Sequence, residues 1–154
     1  MTRPHILKRT AGLAAGMLLA ASALAHDDAW LDAQKTPHGG QMRAAGELHL
    51  ELVLDREASA AKTSTVAVYL TDHGGKPVEA KGAQGKVTLL GEGGKREIAL
   101  QPAEGNRLQG NGTYVASAAL KGIVSVTLPG RKAVQARFAP FAAERADAHA
   151  GHKH

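Results

Sequence analysis

Between Gly46 and Phe138 apolar residues recur at every second position, and turn-forming residues cut the pattern into short runs. Leu48, Leu50, Leu52 and Leu54 alternate with Glu47, His49, Glu51 and Val53. A period of two belongs to an extended strand with one face turned inward. The pattern returns at Val66, Val68 and Leu70, at Val87 and Leu89, at Ile98 and Leu100, and at Leu108. Tyr114-Val115, Val124-Val126-Leu128 and Val134-Ala136-Phe138 complete the series. Asp72-His73-Gly74-Gly75-Lys76-Pro77, Gly91-Glu92-Gly93-Gly94, Asn111-Gly112 and Pro129-Gly130-Arg131-Lys132 separate the runs, because glycine supplies the positive φ that tight hairpins need. No strand alternates with a helical pattern, which excludes doubly wound α/β folds. None of the glycine-rich stretches leads into a helix that could hold a phosphate. The expected fold is all-β: a single antiparallel, immunoglobulin-like β-sandwich of about seven strands.

Aromatic residues are few: Trp30, Tyr69, Tyr114, Phe138 and Phe141. Leu, Val and Ala must therefore build the core, with Leu54 expected inside beside Leu48, Leu50 and Leu52. The absence of cysteine excludes disulfides, thiolate metal sites and cysteine nucleophiles.

The two ends differ from this body. Met1 to Thr10 is basic, Ala11 to Ala20 is apolar but short, and Ala23-Leu24-Ala25 fits a cleavage site. This reads as a signal peptide over 1–25, with export to the periplasm and His26 as the first mature residue. No other segment has the length and apolarity of a membrane span, so no stable membrane insertion is expected after cleavage. Residues 26–45 read as irregular, with one short helical turn around Ala29 to Gln34. The sandwich is expected over 46–141, and 142–154 reads as a His-rich, disordered tail. The net charge of +5 overstates the body. Arg3, Lys8 and Arg9 lie in the signal, and +5 less those three is +2. With no basic stripe interleaved with aromatics, nucleic acid is not an expected partner.

The histidines carry the functional signal. Leaving out His5, they are His26, His38, His49, His73, His149, His152 and His154. None takes an inward position in the period-two pattern. Imidazole offers a neutral lone pair near neutral pH, and it suits copper(II) and zinc. His149, His152 and His154 can wrap an ion without a fold. His26, once freed by cleavage, offers its α-amine beside its own imidazole. This resembles the histidine brace of some periplasmic copper carriers, with His38, His49 or His73 as third nitrogen and Asp27 or Asp28 as a weak oxygen. His49 and Glu51 share one strand face, as ligand and supporting carboxylate or as a solvated pair. Asp72 and His73 read first as turn formers.

The strings Pro37-His38-Gly39-Gly40, Gly46-Glu47-Leu48-His49-Leu50-Glu51-Leu52-Val53 and Val68-Tyr69-Leu70-Thr71-Asp72-His73-Gly74-Gly75-Lys76-Pro77-Val78 look like a small β-rich periplasmic module. Over Pro37 to Phe138 the chain resembles the N-terminal region of periplasmic adaptor subunits of heavy-metal efflux pumps of the resistance-nodulation-division type. It lacks their long helical hairpin and lipoyl-like segments, so it corresponds at most to a free-standing module. The resemblance implies metal handling by His38, His49 and His73, with a heavy-metal efflux system as partner. The expected function is a periplasmic copper or zinc carrier, buffer or efflux accessory. The alternative is a non-catalytic interaction module that binds no physiological metal. No nucleophile elbow, paired acid cluster or HExxH string occurs, so no enzyme is expected.

Overall fold

The structure, a computed structural model, describes residues 28–142. Asp28–Asp32 forms a short helix, α1. Eight strands follow: β1 Gln41–Ala45, β2 Leu48–Leu54, β3 Ser64–Asp72, β4 Gln84–Gly91, β5 Gly94–Pro102, β6 Arg107–Gly112, β7 Lys121–Thr127 and β8 Val134–Phe138. All are antiparallel and belong to one sheet of order β1-β2-β3-β6-β5-β4-β7-β8. The two end strands come back beside each other, and the Ala139 amide donates to Gln41 Oε1 at 2.8 Å across the seam. The fold is thus a nearly closed, barrel-like sheet of eight strands, where the alternation had suggested a seven-stranded sandwich. Alternation marks which face is inward, but it does not say which strand pairs with which. The joint that converts two layers into one sheet is β6, which pairs with β3 along its length and with β5 only at Gln101↔Gln109 and Pro102↔Leu108.

The interior follows the period of two. Leu50, Leu52, Val66, Val68, Leu70, Val87, Leu108 and Val124 are completely buried. Each such side chain contributes about 1.5–3 kcal/mol by leaving water. Leu54, expected inside, is only half-buried at the strand end, although it still packs on the core.

Two other expectations are corrected. The helical turn expected near Ala29 is present as α1, but the segment after it is not irregular throughout, since β1 occupies Gln41–Ala45. Arg43 hid this strand: it is a charged side chain at an inward register position, opposite Leu50. It is nevertheless 93% buried, because Asp32 of α1 accepts both of its terminal nitrogens, at 2.7 and 3.0 Å. Asn111-Gly112 is the end of β6 rather than a turn, and Tyr114 lies beyond it outside any strand. Gly112 sits there for packing: a Cβ at that position would lie 2.5 Å from the Ile98 side chain. The Gly91–Gly94 hairpin forms as the sequence suggests, with positive φ at Gly93 and Gly94.

Candidate functional site

Residues Leu48 to Leu52 are buried on both faces of β2. His49 and Glu51 point away from the barrel interior, and the sequence had left them facing solvent. Instead His49 is 5% exposed and Glu51 2%. Two loops roof this outer face, and each carries a histidine.

The first loop is Pro37-His38-Gly39-Gly40. Gly39 takes a positive φ of 71°. Gly40 runs so close to β2 that a Cβ would come within 2.4 Å of the Leu52 carbonyl oxygen. Glycine is the residue that permits both features. The loop is held by Glu51, whose Oε1 accepts the amides of His38 at 2.9 Å and Gly40 at 3.0 Å. The other carboxylate oxygen, Oε2, accepts His38 Nδ1 at 2.8 Å. Tyr69 is the β3 partner of Glu51 in register. The His38 ring lies flat on it, with centroids 3.5 Å apart and planes 4° from parallel. A buried carboxylate is thereby satisfied by three donors, and one imidazole is fixed in tilt, rotation and tautomer.

The second loop repeats the device. Asp72 Oδ1 accepts the amides of Gly74 at 2.8 Å and Lys76 at 2.9 Å, an Asx turn that Gly75 completes at a φ of 80°. The turn-forming role expected of Asp72 is observed. It carries His73 over His49, with ring centroids 4.7 Å apart. His73 Nε2 lies 3.0 Å from the Gly46 carbonyl oxygen.

His38, His49 and His73 are therefore on the same side of the β1-β2-β3 sheet, but in two stacks. His38 pairs with Tyr69, and His49 with His73. The carboxylate that serves an imidazole is indeed Glu51, but the imidazole is His38 and not its strand neighbour His49. Among the described residues no group of three or more His, Asp or Glu converges on one point. His26, His149, His152 and His154 lie outside the described residues. The pairing of His38 with Glu51 was not visible in the sequence. Its one trace is the Gly-Gly after His38, which matches the Gly-Gly after His73.

In the neutral ring, donation from Nδ1–H to Glu51 leaves the His38 lone pair on Nε2. Its side chain is 39% exposed. A carboxylate behind a histidine is the usual way to orient a metal-binding imidazole and raise its basicity. The donors present suit an ion that accepts nitrogen ligands, and among the described residues the one sulfur is the thioether of Met42, the β1 partner of Glu51.

No protein-family model matches the chain, and no curated protein sequence matches it. Among solved structures it is similar to a DUF4426 family protein from Pseudomonas aeruginosa PAO1. The two share 19% identity over 64% of this chain and 92% of the other, with a TM-score of 0.43.

Proposed function

We propose that this chain is a periplasmic transition-metal-binding protein, a copper or zinc carrier or buffer that serves a heavy-metal efflux system. The observation that supports the reading is the Glu51–His38 pair, which presents one exposed imidazole in a set orientation on a rigid sheet. In this reading His38 Nε2 is the first ligand. His26 and the tail histidines His149, His152 and His154 supply further nitrogens. His49 and His73 are a second imidazole pair beside it.

A set ligand loses less conformational freedom on binding than a free one, so the body ligand belongs to the tighter phase and the tail alone to a weaker, exchangeable phase. Protonated imidazole has no lone pair, so both phases weaken as acid protonates the rings. Calorimetric titration of the chain from His26 with Cu²⁺ and with Zn²⁺ tests the proposal. His38→Ala should remove the tighter phase, and deletion of 148–154 the weaker one. Affinity for both ions no better than about millimolar, too weak for a carrier, overturns it.

A further inference from the structure

The opposite side of the barrel has an outer face that no loop covers. Antiparallel register places Leu90 directly between Lys95 of β5 and Lys121 of β7. It places Ile123 directly between Thr88 of β4 and Arg137 of β8. Both apolar side chains are open to solvent, Leu90 at 57% and Ile123 at 40%. They share a shallow hollow with Thr88, Lys95 and Lys121. Lys86 lies on the same face, two residues before Thr88 on β4.

Against these four cations the strands place one carboxylate, Glu97. It sits 2.9 Å from Lys95 and 3.7 Å from Lys86. Among the described residues Lys121 and Arg137 form no ion pair; Asp28 of α1 borders the face in a hollow with Ile123 and Arg137, but it is paired with Arg43 at 3.5 Å. The face thus combines an apolar centre with a surplus of positive charge. β4 and β7 are each hydrogen-bonded on both sides, so neither offers a free edge to a partner strand. Contact here must run through side chains alone. Two isolated apolar groups on a broad sheet face also provide no groove to set the register of a peptide.

We propose that this face docks on an anionic lipid surface. Leu90 and Ile123 enter the headgroup boundary, and Lys86, Lys95, Lys121 and Arg137 reach the phosphates. Lysine and arginine stems lie along apolar surface while their charged ends stay at the polar level, which suits the ring around Leu90 and Ile123. The attachment is peripheral and reversible, since the apolar area is small and the charge attraction falls with salt. It goes beyond metal binding and does not depend on it.

Co-sedimentation of the chain from His26, which contains every described residue, tests the proposal. The vesicles are phosphatidylcholine alone, or phosphatidylcholine and phosphatidylglycerol in equal parts. The chain should sediment with the mixed vesicles, remain free of the neutral ones, and be released by raised salt. Lys121→Gln with Arg137→Gln should weaken binding about thirtyfold, the effect of two surface cations. Leu90→Ser with Ile123→Ser should weaken it as well at unchanged charge. Lys81→Gln with Lys132→Gln, exposed residues outside this face, should retain at least half of the binding. All the substituted side chains are exposed, and circular dichroism verifies that each variant is folded. Equal losses from the on-face and off-face charge pairs overturn the proposal, because binding would then follow net charge only. Failure to bind the mixed vesicles also overturns it, and an acidic protein surface then becomes the occupant to test.

Discussion

Glu51 and His38 are 13 positions apart in the chain, yet the carboxylate makes three hydrogen bonds to the residues around that histidine, one of them to Nδ1 at 2.8 Å. This contact decides which ring nitrogen faces solvent with a lone pair. Glu51→Gln separates that role from simple anchoring. The amide oxygen can still accept the His38 and Gly40 amides, but the amide NH₂ now donates to Nδ1. The proton moves to Nε2, and the outward lone pair is lost. The expected result is a reversed His38 tautomer by ¹⁵N NMR with the chain still folded, and a loss of metal affinity of about 10–100-fold. Unchanged affinity with a reversed tautomer would remove Glu51 from the account.

Gly40→Ala tests the same loop from its backbone. The new Cβ would meet the Leu52 carbonyl oxygen at 2.4 Å, and backbone cannot yield as a flexible side chain does. The loop must lift away from β2, so the stack of His38 on Tyr69 opens. Stability should fall by about 1–3 kcal/mol in denaturant unfolding, and the Tyr69 and His38 ring resonances should lose their mutual shielding.

The barrel interior was legible because Leu48, Leu50 and Leu52 keep strict alternation, and a one-residue slip would turn all of them outward. The roof was not legible. It depends on where Gly39, Gly40 and the Asx turn at Asp72 deliver two histidines, and those contacts join residues far apart in sequence. β1 was hidden for a related reason. Arg43 reads as solvent-facing until Asp32, 11 residues earlier, is seen to accept its guanidinium. Asn111-Gly112 carries turn chemistry, yet it serves as strand because Gly112 makes room for Ile98.

The Arg43–Asp32 pair has a pH signature. The hydrogen bond from Arg43 holds the Asp32 carboxyl below its ordinary value, ahead of the opposing effect of burial. A lowered native pKa means that the contribution is complete above the unfolded value of about 3.9 and is lost as pH falls through the lower native value. Acid unfolding of the parent chain should therefore steepen below about pH 4. In Asp32→Ala that part of the slope should disappear. The same variant should be less stable at neutral pH by about 1–3 kcal/mol, since Arg43 stays buried with its main acceptor removed. Urea unfolding across this pH range measures both effects.

Tyr114 tests the packing of the strand ends. Its hydroxyl accepts the Asp55 amide at 2.8 Å and donates to the Thr65 carbonyl oxygen at 3.3 Å. Burial pushes its ionisation upward, so the hydroxyl stays protonated through the working range. Tyr114→Phe should cost about 1–3 kcal/mol in thermal or denaturant unfolding, because the Asp55 amide loses its acceptor. A change below about 0.5 kcal/mol would mean that water takes the place of the hydroxyl without cost.

In the proposed function His38 is the imidazole prepared to take a metal ion. The most direct test is a ¹⁵N-imidazole NMR titration of the chain from His26 with Zn²⁺, followed ring by ring. The first equivalent should shift His38 Nε2, leave the proton on Nδ1 still donated to Glu51, and move the His49–His73 pair later. If His38 stays unshifted while His149, His152 and His154 take up all the metal, the ordered face plays no part in metal binding and the proposed function is overturned.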